Sequence, residues 1–109
     1  MQEQKVQNCF AQAELQQVIK QSPEQVTIID VRSPEKYAEM HIPGAVNIPL
    51  TELEKHLNEL SIQAVIITAC GKGGGRSAEA AAILRDKGFS HANFLCGGTF
   101  GFFEATSIS

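Results

Sequence analysis

The sequence predicts an α/β fold in which a mainly parallel sheet is covered by helices on both faces. Short apolar runs, VTIID (26–30), AVIITA (64–69) and ANFLC (92–96), alternate with segments that carry helical patterns. The first two runs are apolar almost throughout, as buried parallel strands are, rather than alternating between apolar and polar residues. Strands separated by helices in this way form parallel sheets, and their binding sites lie at the carboxyl ends of the strands.

The segments around these runs carry the signals that begin and end helices. Pro34 opens a short helical segment, and Thr51 and Glu54 stand in the register of a capping box. Apolar residues at helical spacing predict the first helix, and Gly88 predicts the end of a later one. Helices are therefore expected at residues 10–22, 32–40, 51–60, 76–88 and 99–105, and a short strand at 45–47.

Length and composition predict a single domain, residues 1–109, with 43% hydrophobic residues and a net charge of −3. The chain has no basic stripe, so nucleic acid is not an expected partner. Its apolar runs are too short to span a membrane. The N-terminal segment MQEQKVQNCF lacks the apolar stretch of a secretory signal. We therefore expect a cytoplasmic protein without membrane contacts.

The three cysteines, Cys9, Cys70 and Cys96, are predicted to be free thiols. Their number is odd, no CxxC motif occurs, and no secretory signal is recognised. The histidines show no metal-ligand spacing to the cysteines, so no metal site is expected.

A glycine-rich loop follows the run at 64–69. Where such a loop enters a helix, backbone N–H groups are free and the helix dipole adds partial positive charge. Glycines permit the backbone angles that turn successive amides inward to form an anion-binding cradle. The predicted cradle comprises Gly71, Lys72, Gly73, Gly74, Gly75, Arg76 and Ser77.

Cys70 stands at the rim of this cradle. Its thiolate would be stabilised by the loop amides and by the side chains of Lys72 and Arg76. The loop would thus supply a nucleophile and an oxyanion pocket for a small anion of sulfur, phosphorus or arsenic. An inert buried cysteine is an equally good interpretation of the cysteine and glycines alone. The patterns GxxxxGK[ST] and GxGxxG do not fit, which argues against nucleotide binding.

DVR, HIPGA followed by NIP, the cysteine loop and a double glycine are four motifs whose order in this chain resembles that of the rhodanese domain. They lie in DVRSPEKYAEMHIPGAVNIPL (30–50), CGKGGGRSAEAAAILRDKGF (70–89) and GGTFGF (97–102). The resemblance implies a five-stranded, mainly parallel sheet and a sulfurtransferase without metal or organic cofactor. It implies that Cys70 takes a sulfane sulfur from an anionic donor such as thiosulfate and becomes a persulfide. The acceptor would be cyanide, a thiol or a protein thiol.

Two lysines stand where the family places basic residues. The resemblance implies that Lys72 holds the donor's sulfonate, and that Lys36 contacts the donor in some members. From the residues alone, Lys36 is better interpreted as a solvated charge on a short surface helix.

Two departures leave alternatives open. Five residues separate Cys70 from Arg76, whereas the usual rhodanese loop has four. The longer loop resembles those of cell-division-cycle dual-specificity phosphatases and related arsenate reductases, although their acidic residue beside the arginine is missing. Phe102 also replaces the family's usual tryptophan. A phosphatase or arsenate reductase, and a non-catalytic sulfur carrier or binding module, therefore remain alternatives.

Other polar residues are interpreted as structural. Asp30 and Arg32 are expected to form an ion pair near a strand end. His41 is expected to hold the turn in HIPGA rather than to act as a base. Cys96 is interpreted as a small buried residue, with a resolving thiol for Cys70 as the alternative, and Cys9 receives no role.

Overall fold

The computed structural model describes residues 9–72 and 74–107. Four α-helices lie in this part of the chain, at Gln12–Gln21 (α1), Pro34–Glu39 (α2), Gly75–Asp86 (α3) and Gly98–Ser107 (α4). Four strands lie at Val26–Asp30 (β1), Val46–Asn47 (β2), Val65–Ala69 (β3) and Ala92–Phe94 (β4). Two 3₁₀ helices lie at Pro23–Gln25 and Leu50–Glu59.

The strands form one parallel sheet in the order β2-β1-β3-β4. Strands β1 and β3 pair along their whole length, from Val26 opposite Val65 to Asp30 opposite Ala69. Because the two strands end side by side, the residues that follow them meet at one edge of the sheet. The predicted α/β class with a parallel sheet is confirmed.

The prediction of five strands is wrong, since the sheet of the described residues has four. Phe10 stands beside Leu95 in an isolated parallel bridge where a fifth strand would lie. The Phe10 N–H donates to the Phe94 carbonyl at 2.6 Å, and the Cys96 N–H donates to the Phe10 carbonyl at 3.0 Å. The bridge involves a single residue because the chain turns into α1 at Gln12.

Helices cover both faces of the sheet, and each face has its own apolar core. One core contains Leu53 of the long 3₁₀ helix and Leu84 of α3, and the other contains Leu15 of α1 and Phe102 of α4. In β1, Ile29 packs into the core that contains Leu53, and Ile28 packs into the core that contains Leu15. A strand buried on both faces has no solvent side, which explains its continuous apolar run.

The capping box predicted at Thr51 and Glu54 is not formed. The helix at Leu50–Glu59 is a 3₁₀ helix that follows Pro49, and no side chain caps it. The Leu50 N–H donates to the Val31 carbonyl at 3.1 Å, and the Glu52 N–H donates to the Pro49 carbonyl at 2.8 Å. Backbone carbonyls therefore satisfy donors of the first turn, and Thr51 lies inside the helix rather than before it.

The prediction of three free thiols is wrong. Cys9 and Cys96 form a disulfide across 87 residues of sequence, with Cα atoms 5.0 Å apart. The bridge between Phe10 and Leu95 places the two cysteines side by side, which sequence spacing could not reveal. Both interpretations of Cys96 are thereby overturned, because its sulfur is bonded to Cys9. Cys70 is the free cysteine.

Candidate active site

Cys70 is the first residue after β3 and is half-buried. Its sulfur lies 3.2 Å from the Gly74 carbonyl oxygen and 3.4 Å from the Ser77 hydroxyl oxygen. The thiol therefore has an acceptor for its proton in the loop itself. The loop folds back so that its far end meets the sulfur.

Ser77 lies beneath the sulfur and is completely buried. Its N–H and its hydroxyl both donate to the Gly74 carbonyl, at 3.1 and 2.9 Å. Its own carbonyl accepts a hydrogen bond from the Thr68 hydroxyl at 2.7 Å. The Ser77 amide is thus already occupied, and the side chain supports Cys70 from below rather than lining the cavity.

The loop uses glycine where only glycine fits easily. Gly74 has a φ of +77° and Gly75 a φ of +48°, in the left-handed region that other residues disfavour. Because α3 begins at Gly75, the loop leads directly to the amino end of a 12-residue helix. The carbonyl of Gly74 faces Cys70, so not every peptide of the predicted cradle presents an N–H group. Gly73, also predicted to belong to the cradle, lies outside the described residues.

A cavity of about 360 Å³ opens beside the thiol. Four cationic side chains contribute to its wall, which suits a small anion. The lining residues are Arg32, Lys36, Cys70, Gly71, Lys72, Gly74, Gly75, Arg76 and Phe100. Six of the eight predicted site residues thus line one cavity, and Lys36, interpreted as a solvated charge, joins them.

Arg32 was expected to serve structure alone, and it does form the expected ion pair. Its guanidinium nitrogen lies 2.8 Å from the Asp30 carboxylate, and both side chains are almost fully buried. Hydrogen bonding to Asp30 raises the pKa of Arg32 above its ordinary value, against the opposing effect of burial. Arg32 also lines the cavity, which sequence reasoning missed. Its position two residues after Asp30, at the end of β1, was the available signal.

Phe100 was also missed by sequence reasoning. The amino end of α4 is joined to the start of the cysteine loop, because the Thr99 N–H donates to the Cys70 carbonyl at 2.7 Å. The Phe100 N–H donates to the Gly71 carbonyl at 2.9 Å. A Cβ atom on Gly71 would stand 3.2 Å from the Phe100 ring, so glycine permits this close approach.

His41 lies apart from the cavity lining. Its ring stacks on Tyr37 with centroids 3.9 Å apart, and its Nδ1 lies 2.9 Å from the Tyr37 carbonyl oxygen. These contacts agree with a structural role in the turn. Within residues 9–72 and 74–107, no three His, Cys, Asp or Glu side chains converge to hold a metal ion. No helix in the described part has the length and apolarity needed to cross a bilayer.

A family comparison identifies the domain. The family model described as the rhodanese-like domain matches residues 11–105. This chain belongs to the rhodanese-like domain family. The match extends from α1 into α4 and includes the cysteine loop, so the resemblance found in the sequence is confirmed.

Relatives of this rhodanese-like domain include proteins named for sulfur handling. It is 46% identical over 68 residues to the putative sulfur carrier protein YrkF of Bacillus subtilis, covering 62% of this chain and 36% of the relative. It is 34% identical over 64 residues to the thiosulfate sulfurtransferase PspE of Escherichia coli, covering 58% of this chain and 62% of PspE. The chain thus spans only about a third of YrkF and three fifths of PspE.

Among solved structures, the rhodanese-like domain resembles the human single-domain sulfurtransferase TSTD1. The TM-score is 0.80 at 25% identity, and the match covers 91% of this chain and 97% of TSTD1. The likeness to a chain of nearly the same extent supports the α/β fold described above, with one parallel sheet between two layers of helices.

Proposed function

We propose that this rhodanese-like domain is a sulfurtransferase in which Cys70 carries the sulfur as a persulfide. The observation on which this proposal rests is the position of Cys70, the free cysteine, in a cavity lined by four cationic side chains. Thiosulfate or a similar anion is the proposed donor, and cyanide or a thiol is the proposed acceptor. The names of the relatives YrkF and PspE support sulfur handling.

In the first half-reaction the Cys70 thiolate attacks the outer sulfur of thiosulfate. A bond forms between the two sulfurs while the bond from the outer sulfur to the sulfonate breaks, and sulfite leaves with the electron pair. Lys72 and Arg76 would hold the sulfonate oxygens, because both side chains line the cavity and charge-assisted hydrogen bonds are the strong ones. No metal or organic cofactor enters this step.

In the second half-reaction the acceptor attacks the outer sulfur of the Cys70 persulfide. Cyanide leaves as thiocyanate, or a thiolate leaves as its own persulfide, and the Cys70 thiolate is restored. The amides of Gly71, Gly75 and Arg76 are the proposed backbone contacts to the anionic groups, because these residues line the cavity near the amino end of α3.

Phosphatase or arsenate reductase chemistry is the second candidate. The observation that favours it is the loop of five residues between Cys70 and Arg76. Arg76 lines the main cavity and also a neighbouring one of about 230 Å³ beside Val31, Pro49 and Thr51. Within the described residues no ion pair holds Arg76, so its guanidinium is available to a tetrahedral oxyanion.

A sulfur carrier that delivers to a protein thiol is the third candidate, supported by the name of the relative YrkF.

The cytoplasm is the proposed compartment. Disulfides persist in oxidising compartments and are rare in a reducing cytosol, so the state of Cys9 and Cys96 in cells, bonded or reduced, tests this proposal. Rapid alkylation of intact cells, followed by mass spectrometry, would distinguish the two states.

One preparation tests the candidates together. Thiocyanate release from thiosulfate and cyanide is measured beside phenol release from an aryl phosphate, with Cys70→Ser as the matched control. We expect thiocyanate release and a gain of one sulfur atom on Cys70 by intact mass. Phenol release that is lost in both Cys70→Ser and Arg76→Ala would favour the phosphatase. Slow cyanide turnover with fast transfer to a protein thiol would favour the carrier.

A further inference from the structure

We infer that Phe100 is a specificity-determining residue that selects an organic thiol with an apolar chain and an anionic end as the sulfur acceptor. The inference deepens the proposed function and rests on it. It names the class of acceptor for which the wall of the cavity is built.

The first support is the exposure of Phe100. The ring is 41% exposed although its neighbour Thr99 is fully buried and Phe102, two residues on, is 6% exposed. It lines the cavity that contains Cys70. A large apolar side chain held open beside a nucleophile offers contact area to a ligand.

The second support is the fixed position of the ring. The Phe100 N–H is bonded to the Gly71 carbonyl, directly after Cys70, and the ring packs over Gly71. The Arg32 guanidinium lies over the ring, with its central carbon 5.9 Å from the ring centroid. Phe100 is thus a formed part of the cavity wall, joined to the loop that begins at Cys70.

The third support is size. Thiosulfate has five heavy atoms and cyanide has two. If each heavy atom takes the volume of one water molecule, roughly 30 Å³, neither ion needs more than roughly 150 Å³. The cavity measures about 360 Å³, within the range of sites for small organic ligands. An inorganic ion leaves much of this space, and the whole ring, unused.

The fourth support is charge. Lys36, Lys72 and Arg76 line the same cavity as the ring. One cation can hold a terminal carboxylate while the thiol reaches Cys70 and the chain between them covers Phe100. The acceptor that matches Cys70, the Phe100 ring and a cation of the cavity wall is therefore a molecule with a thiol at one end, an anionic group at the other and an apolar chain between them.

The experiment measures the discharge of sulfur-loaded protein by straight-chain mercaptoalkanoates of three to eight carbons, with cyanide as the reference acceptor. We expect kcat/KM to rise about twofold for each methylene, below the roughly fourfold of complete burial because the ring is only partly covered. Aminoalkanethiols of the same lengths, which end in a cation, should be poorer acceptors by about tenfold.

Phe100→Ala should flatten the chain-length series and lower the ratio of eight-carbon thiol to cyanide about tenfold. Phe100→Leu, which keeps an apolar side chain, should retain most of the slope and guards against misfolding of the alanine variant. Val46→Ala removes an apolar side chain of similar exposure outside the cavity lining and should leave the ratio unchanged.

A flat series in the unmodified protein, or an equal loss with every acceptor in Phe100→Ala, would overturn the inference while sulfur transfer itself stands. Absence of any persulfide after thiosulfate treatment would instead remove the proposed function and the inference together. The loading step and the discharge step thus separate the two failures.

Discussion

The sulfur of Cys70 lies 3.4 Å from the hydroxyl oxygen of Ser77, and both groups lie within hydrogen-bonding distance of the Gly74 carbonyl oxygen. The carbonyl accepts and cannot donate. Once Cys70 loses its proton, the sulfur needs a donor, and the Ser77 hydroxyl is in place to provide one by rotating its proton. We therefore propose that Ser77 positions the thiolate.

Ser77→Ala should slow persulfide formation about tenfold or more, because a hydrogen bond to a charged group contributes about 1.5–3 kcal/mol. The rate is measured by quenching after thiosulfate addition and recording the intact mass. Ser90→Ala, an exposed serine on a distant turn, is the control. An unchanged rate in a folded Ser77→Ala protein would show that the hydroxyl serves only the loop's structure.

Lys72→Ala should raise the KM for thiosulfate about tenfold, a loss of roughly 1.4 kcal/mol of binding. Lys72 is exposed and lines the cavity, so its removal takes away an attraction for the dianion without disturbing the core. Initial rates of thiocyanate release against thiosulfate concentration supply the measurement. Lys55→Ala, whose side chain is 73% exposed and pairs with Glu52, is the matched control and should keep the normal KM.

Raised salt should increase the same KM in the unmodified protein, because screening weakens attraction between exposed charges. The increase should be smaller in Lys72→Ala, which has one cation fewer. Equal salt dependence in the two proteins would place the sulfonate away from Lys72.

Removing Arg32 should destabilise the fold by about 3–5 kcal/mol, because it leaves the buried Asp30 carboxylate without its counter-ion. The raised pKa of Arg32 means that it remains cationic throughout the pH range of ordinary assays, so loss of the Arg32 proton does not disrupt the pair there. Urea unfolding of Arg32→Met, Asp30→Ala and the double variant measures the coupling.

The free energy of unfolding should fall much less in the double variant than the sum of its decreases in the two single variants. Breaking the exposed pair of Lys55 and Glu52 should cost less than about 1 kcal/mol. Additive losses at Arg32 and Asp30 would mean that each acts through other contacts, such as the Met40 carbonyl that accepts from Arg32.

Alkylation of the unreduced, denatured protein should label Cys70 alone, because Cys9 and Cys96 are joined. Replacing both bonded cysteines by serine should lower the free energy of unfolding by about 2–5 kcal/mol, since the bond closes a long loop. Tryptic mass spectrometry and urea unfolding supply the measurements. Three labelled cysteines in protein purified without reductant would contradict the pairing.

Much of the site could be predicted from the sequence because its parts are local. The loop from Cys70 to Arg76 joins one strand to one helix, so its neighbours in space are largely its neighbours in the chain. The continuous apolar runs of β1 and β3 indicated a parallel sheet, whose geometry places the strand ends at one edge. The predicted capping box does not form because the carbonyl groups of Val31 and Pro49 accept hydrogen bonds from N–H groups in the first turn of the helix.

The sequence by itself determined the α/β class, the nucleophile candidate and the glycine loop, since local propensity and periodicity suffice for these features. Tertiary structure alone decided that Cys9 meets Cys96, that Ser77 supports the sulfur from below, and that Arg32 and Phe100 complete the cavity wall. The disulfide and the contributions of Arg32 and Phe100 depend on contacts between segments far apart in the chain, whereas the Ser77 contact depends on how the loop folds back on itself. Such contacts follow from how helices pack on the sheet, and no spacing along the sequence encodes them.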